Sequence, residues 1–299
     1  MHFPKVGLQL ARGVIAADNH NDPYPRPPLN WQLPQGYRFE HYKEWFRQYT
    51  AAFLQGSAFD VGNVRLKIDH SLRVLELAQR LTKALAPPPA LAAVAHLAAL
   101  FHDIGRFPQY ARHKTFQDQL SVNHALQGVL TLKEQQVLAA LPAAAQKLVL
   151  AAIACHNRRT LPASLEPVAR YLTCIVRDAD KLDIFAVMLT HFAPEAPPNK
   201  VVNLELKVHS DNYSPAILRA VQQRQIVNIQ DMVWVNDFKL LLCSWLYGLN
   251  FPCSRKIVQE RRYLEQLLAY LPPKPEFARL RQQLADDLAG HTGPVSQGR

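Results

Sequence analysis

Glycine is scarce in this sequence, with 11 residues among 299, whereas proline is frequent, with 22. Glycine supplies tight turns and the phosphate-binding loops of nucleotide folds. Alanine and leucine, both good helix formers, fill the middle of the chain instead. The composition therefore argues against a glycine-rich nucleotide fold or a β-sandwich, and it favours helices joined by proline-containing loops.

Cysteine is rare as well, and none of the four cysteines forms a C-x-x-C pair: Cys155, Cys174, Cys243 and Cys253. This spacing argues against a zinc ribbon or a thioredoxin-like site. All four lie in apolar or helical surroundings, which predicts buried thiols in a reducing compartment.

The sequence shows no uninterrupted apolar run of the 18 to 20 residues, roughly, that a bilayer span needs. The N-terminus also lacks an apolar segment followed by a small-residue cleavage site. From these two observations we expect a cytoplasmic protein without a membrane-spanning segment.

The chain is basic, with 34 Lys and Arg against 24 Asp and Glu, a formal net charge of +10. This charge favours an anionic partner such as a nucleotide, a nucleic acid or a membrane surface, but it can also serve solubility alone. No run of five basic residues occurs, which argues against a dedicated nucleic-acid-binding arm.

Three regions are predicted: a proline-rich N-terminal segment (1–37), a helical core (38–192) and a helical C-terminal extension packed on it (193–299). Apolar side chains recur at helical spacing, and we recognise no repeat and no strand. The fold class is therefore predicted to be all-α. Gly105 is expected to end one core helix. Helices are expected at about 64–85, 90–101, 165–192, 234–249 and 254–271.

Four of the twelve histidines, together with two aspartates, lie at helix ends or within apolar helices. An imidazole and a carboxylate at the end of an apolar helix are costly to bury unless both find strong partners. Their recurrence within one helical core indicates a shared functional site. The six residues are His70, His102, Asp103, His124, His156 and Asp180.

Three motifs occur in order: H-x-x-R-V from His70, L-x-H-D-I-G-R over 100–106, and A-D-K-L over 179–182. Over about residues 60–190 the chain resembles the HD superfamily of metal-dependent phosphohydrolases, whose fold is an all-α bundle. The resemblance implies that His70, His102, Asp103 and Asp180 bind one divalent transition metal.

His124 and His156 match the positions that bind a second ion in the bimetallic members of the superfamily, with Asp103 shared between the two ions. Single-metal nucleotidases of the superfamily carry acidic residues directly after the His-Asp pair. Here Ile104, Gly105 and Arg106 occupy those positions, which favours two ions. The imidazole and carboxylate ligands suit Fe, Mn, Co, Ni or Zn.

By this resemblance the protein is a phosphomonoesterase or phosphodiesterase in which a metal-activated hydroxide attacks a nucleotide or nucleic-acid-like phosphoester. Asp103, Arg106 and Lys181 are the candidate catalytic residues. Arg106 is expected to neutralise phosphoryl charge, with little effect on metal content. Lys114 and Arg158 are candidate substrate-binding residues with Arg106, or else solvated surface charges.

Two other functions remain open. Myo-inositol oxygenase and its relatives use the same ligand set for a di-iron centre, and a basic nucleic-acid-binding helical protein could retain an inactive site. Residues 200–299 either close one side of the active-site cleft or form a dimer surface, so a homodimer is possible.

Several neighbouring residues have more than one interpretation. Asp183 is near Asp180 on its helix and can accept a hydrogen bond from a ligand, whereas Asp178 is expected to be solvated or paired with an arginine. Arg73 is expected to form a structural ion pair. Phe107 and Tyr110 either stack on a base or fill the core of their loop.

Overall fold

The computed structural model describes residues 31–197 and 199–290 of the chain. Within these ranges the protein forms twelve α-helices and no β-strand, so the all-α prediction is confirmed. The first thirty positions of the predicted N-terminal segment lie outside the described residues. The helices are α1 (Phe39–Ala51), α2 (Ala58–Leu85), α3 (Pro89–Phe101), α4 (Arg106–His113), α5 (His124–Glu134), α6 (Ala143–His156), α7 (Pro167–Phe192), α8 (Pro215–Gln222), α9 (Val235–Ser244), α10 (Pro252–Glu260), α11 (Tyr263–Ala269) and α12 (Pro275–Leu288).

Helix α3 lies at the centre of the core and packs against α1, α2, α6 and α7. Its alanines and leucines allow close approach on every side, and its residues from Leu97 to Phe101 are completely buried. Helices α2 and α7, the two longest, also pack against each other. The four-residue turn after α3 is thereby surrounded by helices that each bring polar side chains to it.

Helix α2 begins at Ala58, six residues before the predicted start at Val64. Ser57 caps it: the Ser57 hydroxyl accepts a hydrogen bond from the Asp60 backbone N–H at 3.1 Å, and the Asp60 carboxylate accepts one from the Ser57 N–H at 3.2 Å. Ser-x-x-Asp is a recognisable capping pattern, so the sequence carried a signal for this start.

The helix predicted over 254–271 is two helices, α10 and α11, in the structure. Arg262 between them has φ +52°, a left-handed conformation that ends one helix and lets the next change direction. The helix predicted over 234–249 is α9 followed by a 3₁₀ turn over Trp245–Gly248. Apolar spacing continues through both breaks, which is why the pattern alone did not reveal them.

The segment Pro89–His113 is long and apolar enough to cross a membrane, so the expectation that no stretch reaches that length is wrong for this segment. Length and composition do not distinguish a membrane span from the core helix of a globular bundle. Here 78% of the most apolar window is buried inside the protein, against its neighbouring helices.

The C-terminal extension packs on α7 through α10 and α11, and α10 also contacts α2. Asp178 on α7 is completely buried and accepts hydrogen bonds from the backbone N–H groups of Asn250 and Phe251 and from the Asn250 side chain. The expectation that Asp178 is solvated or paired with an arginine is therefore wrong. It joins the extension to the core because it satisfies buried backbone donors.

Gly105 is needed for close packing rather than for ending α3. Its φ is −72°, but a Cβ added there would lie 2.1 Å from the His124 carbonyl oxygen and 2.5 Å from the Gly128 nitrogen.

We expect Gly105→Ala to lower the free energy of unfolding by about 3 kcal/mol, because backbone atoms must move. Gly62→Ala, at an open position on α2, should leave it unchanged or raise it by up to about 1 kcal/mol. Urea unfolding of both variants measures the difference, and equal stabilities would contradict the packing argument.

Candidate metal centre

Five elements bring the six predicted ligands to one place. His70 lies in the middle of α2, His102 and Asp103 in the turn after α3, His124 begins α5, His156 ends α6, and Asp180 lies on α7. All four histidines and Asp103 are buried, and the side chain of Asp180 is 20% exposed. Each helix thus contributes its ligand at or near a point where it meets the turn after α3.

The first group of ligands surrounds one oxygen of Asp103. His70 Nε2 lies 3.2 Å from His102 Nε2 and 3.1 Å from Asp180 Oδ1. Asp103 Oδ2 is 3.7 Å from both of these imidazole nitrogens. Two imidazoles and two carboxylates therefore converge on one small volume.

The second group surrounds the other oxygen of Asp103. His124 Nε2 lies 3.1 Å from His156 Nε2, 3.4 Å from Asp103 Oδ1 and, through its other ring nitrogen, 2.8 Å from Asp118. His156 Nε2 is 4.0 Å from Asp103 Oδ1. Asp103 consequently faces one pair of histidines with each of its two oxygens.

Backbone carbonyls fix the orientation of two of the rings. His102 Nδ1 donates to the Ala99 carbonyl at 2.8 Å, and His156 Nδ1 donates to the Ile153 carbonyl at 2.7 Å. A carbonyl can only accept, so Nδ1 of each ring carries the proton. In the neutral ring the Nε2 lone pair then points towards the other ligands, as metal binding requires.

Carboxylates fix the other two rings in the same way. His70 Nδ1 lies 2.7 Å from Asp183 Oδ2, and Asp183 in turn accepts two hydrogen bonds from Arg73. In the same way, both carboxylate oxygens of Asp118 lie 2.8 Å from His124 Nδ1. The prediction that Asp183 accepts a hydrogen bond from a ligand is confirmed, and the structural ion pair expected of Arg73 is made with Asp183.

The donor set fits a metal ion. Four Nε2 atoms lie in two pairs only 3.2 and 3.1 Å apart, an arrangement that is repulsive between neutral rings unless a cation or a proton lies between them. Two nitrogens bound about 2.1 Å from one ion are themselves roughly 3.0–3.4 Å apart. Three overlapping groups of these residues have ligand atoms close enough to hold an ion.

Electrostatics keep Asp103 and His156 in their metal-binding forms. Burial alone would raise the pKa of Asp103, but the charge of Lys67 and the neighbouring His102 and Arg106 hold it well below its usual value. Burial, together with the nearby His124 and His102, lowers the pKa of His156 to about 3. Asp103 is thus ionised and His156 neutral near neutral pH.

The model of one protein family, described as HD domain, matches residues 68–184. The chain contains an HD domain. The match begins two residues before His70 and ends four residues after Asp180, so it includes all six converging residues. No curated protein and no solved structure matches the chain significantly.

The ligands of the HD domain open into a cleft of about 790 Å³. Among the residues that the structure describes, six basic side chains line this cleft against three acidic ones, Asp103, Asp118 and Asp180. Asp103 and Asp180 are two of the six converging ligands. The basic residues are Lys67, Arg106, Arg158, Arg159, Arg177 and Lys181.

Three of the four predicted basic residues reach this cleft: Arg106, Lys181 and Arg158. Lys114 does not line it, because its ammonium pairs with Asp60 at 3.0 Å and its side chain is 56% exposed. Burial and then the nearby Arg177 lower the pKa of Lys181 to about 8. The substrate-binding role predicted for Lys114 therefore lacks support from its position.

Phe107 and Tyr110 are buried in the core beside the turn, so of the two interpretations the structure supports core filling. Cys155, Cys174 and Cys243 are buried free thiols as predicted, and Cys253 is partly buried.

Sequence reasoning missed Lys67 and Asp118. Lys67 Nζ lies 2.7 Å from Asp103 Oδ2, one helical turn before His70 on α2, so helical spacing could have indicated it. Asp118 lies in a loop six residues before His124, where no periodic pattern applies. It accepts hydrogen bonds from His124, Arg106 and Gln109.

We expect Asp118→Asn to weaken metal binding by His124 and His156 about 10- to 100-fold, because the amide no longer fixes the His124 ring as a carboxylate does. Binding by the His70 and His102 group should stay unchanged. Titration of metal-free protein with Mn²⁺ or Zn²⁺ measures both steps. Asp69→Asn, an exposed acid beside His70 in sequence, is the control. Equal loss at both groups would contradict this role.

Proposed function

We propose that this protein is a phosphohydrolase that uses two divalent metal ions to cleave a phosphoester. Its HD domain indicates a metal-dependent hydrolase in general terms. The observation that carries the finer proposal is that six basic side chains line the same cleft as the two ligand groups. An excess of positive charge beside the ligands suits an anionic substrate.

The two groups would hold one ion each, with Asp103 between them. When bound, such a pair of ions lowers the pKa of a water and neutralises charge on the phosphoryl oxygens. The chain's own part is to hold four imidazoles by their Nδ1 atoms and to keep Asp103 ionised beside Lys67. Arg158 and Lys181 line the cleft, where they can bind the phosphoryl oxygens of a substrate.

Arg106 holds part of the site together. Its guanidinium donates to the Phe116 carbonyl at 2.5 Å and to Asp118 at 2.9 Å, and it lies 3.3 Å from Asp103. The sequence alone suggested a residue that acts only on the substrate. The structure adds a positioning role, because Asp118 in turn orients His124.

For Arg106→Ala we expect kcat/KM on a phosphoester to fall about 10²–10³-fold, as for loss of one charge-stabilising donor. Arg106→Lys should recover only part of the activity, since lysine keeps the charge but lacks the planar fork. Both variants should also weaken the second metal-binding step in the titration used for Asp118→Asn. Wild-type kinetics and metal binding in Arg106→Ala would refute both roles.

A di-iron oxygenase is the second candidate. It is favoured by the donor set itself, because imidazoles and carboxylates without thiolate suit iron, and the ligands alone do not separate the two reactions. A nucleic-acid-binding protein with an inactive site is less well supported, since the converging Nε2 pairs are costly without a cation.

Metal analysis of the purified protein, followed by a substrate panel, tests the proposal. The panel contains p-nitrophenyl phosphate, bis-p-nitrophenyl phosphate, a nucleoside monophosphate and single-stranded oligonucleotides. We expect about two divalent ions per chain and metal-dependent release of phosphate or alcohol. Dioxygen uptake coupled to substrate loss would overturn the hydrolase, and absence of bound metal would overturn both candidates.

A further inference from the structure

The cleft beside the metal ligands has two unlike halves. One half carries the converging ligands and the basic side chains. The other is formed by the second half of α7 and by the chain from residue 201 to residue 245, and its side chains are nearly all apolar. The C-terminal extension thus closes one side of the cleft, which was one of the two roles that the sequence left open for it.

An apolar stripe begins at a proposed metal ligand and leads away from it. Asp180, Ile184, Val187 and Met188 all line the cleft from α7. Their spacings of four, seven and eight residues place them on one face of the helix. At 1.5 Å per residue, the stripe extends about 12 Å from Asp180 to Met188.

The facing wall comes from two loops and α9. Leu204 and Leu206 follow α7, and Ile226 and Met232 precede α9. Leu204 has φ +56°, a left-handed conformation that is uncommon for leucine, and its side chain lies at the cleft. Half-buried apolar side chains in an open cleft are unfavourable in water, and an apolar ligand that covers them removes this cost.

Few polar groups are available on this side to recognise a base or a ribose. Asn228 accepts a hydrogen bond at 3.3 Å from the Gln230 backbone N–H within its own turn, and Gln230, which also lines the cleft, is exposed to solvent. A nucleoside buried here would leave several polar atoms unpaired, at a cost that an alkyl chain does not carry.

We propose that the alcohol part of the substrate is an extended apolar chain, so that the protein acts on phosphoesters of a lipid-like, single-chain alcohol. The inference rests on the proposed phosphohydrolase function. In this assignment the phosphoryl group of the substrate lies beside the metal-ligating residues and the basic side chains. The apolar chain of the alcohol lies along α7 from Ile184 to Met188.

Binding of alkylphosphonates, which mimic alkyl phosphates but have no ester bond to hydrolyse, tests the inference separately from turnover. We would titrate the full-length, Mn²⁺-loaded protein with ethyl-, butyl-, hexyl- and octylphosphonate in a calorimeter, all as monomers. Affinity should rise about two- to fourfold for each added methylene. Octyltrimethylammonium, which has the same tail on a cation, should bind at least tenfold more weakly than octylphosphonate, and adenosine monophosphate should also bind more weakly.

Two variants test where the alkyl chain binds. Leu206→Gln on the loop and Val187→Gln on α7 should each lower octylphosphonate affinity about tenfold and leave ethylphosphonate affinity unchanged. Val208→Gln, two residues from Leu206 and 81% exposed, makes a similar exchange outside the cleft and should change neither affinity. Thermal melting of each variant shows whether it is folded.

The outcomes separate this inference from the function on which it rests. Equal affinities for ethyl- and octylphosphonate, tighter binding of adenosine monophosphate, or an unchanged chain-length series in both variants would overturn the apolar substrate, even if phosphoesters are hydrolysed. A chain-length series that depends on Leu206 and Val187, without hydrolysis of octyl phosphate, would support the apolar site and refute the phosphohydrolase. Efficient hydrolysis of octyl phosphate over ethyl phosphate would support both.

Discussion

Asp103→Asn is expected to abolish tight binding of both metal ions and to lower kcat/KM on a phosphoester by about 10³ or more. The reason is that Asp103 faces one histidine pair with Oδ2 and the other with Oδ1. The asparagine amide has the same shape but offers one oxygen and one NH2 group, so at least one histidine pair meets a hydrogen-bond donor where it needs an anion. Loss of a single charge-stabilising donor already costs about 10²–10³.

The same substitution leaves the Lys67 ammonium without its ion-pair partner in a largely buried position, which can cost about 3–5 kcal/mol of stability. The double variant Asp103→Asn/Lys67→Met removes both members of the pair. It should recover most of the stability but bind no more metal. Asp178→Asn, an equally buried acid on the same core, should lower stability and keep both ions. Elemental analysis that finds two equivalents of metal in folded Asp103→Asn would contradict the shared role.

The sequence was informative about the fold where apolar spacing was uninterrupted. It predicted α7 to within two residues because the prolines after Phe192 end a long periodic segment. It placed the start of α2 six residues late, although the capping residues Ser57 and Asp60 were present. It misinterpreted Gly105, because a close approach between the turn and α5 leaves no local pattern.

The candidate site was predictable where one residue type recurs at helix ends, as His102, His124 and His156 do, or within an apolar helix, as His70 does. Lys67 was not identified, although it lies one helical turn before His70 on α2. Asp118 was not identified, since its role depends on distances between separate elements rather than on spacing along the chain. The apolar half of the cleft was even harder to predict from the sequence, because Leu206 and Ile226 lie in loops and approach α7 only through the packing of the C-terminal extension.

His156 lies nearest to the second ligand group, 3.1 Å from His124 Nε2 and 4.0 Å from Asp103 Oδ1, although its ligand atom is also within 4.8 Å of those of His102 and Asp180. Its Nδ1 atom donates to the Ile153 carbonyl, so a backbone group rather than a carboxylate fixes this ring. The first group retains His70, His102, Asp103 and Asp180 when His156 is absent. The two groups are therefore separable by substitution at this residue.

We expect His156→Ala to keep about one metal ion per chain and to lose turnover by about 10² or more, because a single ion cannot supply the activation that two bridged ions give. His124→Ala should behave in the same way, whereas His70→Ala should lose the ion that His156→Ala keeps. The control is His96→Ala, a partly buried histidine on α3 that hydrogen-bonds Thr82 at 2.8 Å and should affect neither ion. Metal content of dialysed variants and kcat on the best phosphoester measure these effects. Two ions and near-normal turnover in either His124→Ala or His156→Ala would show that this histidine is an ordinary buried residue, and that the assignment of the ligands to two groups is wrong.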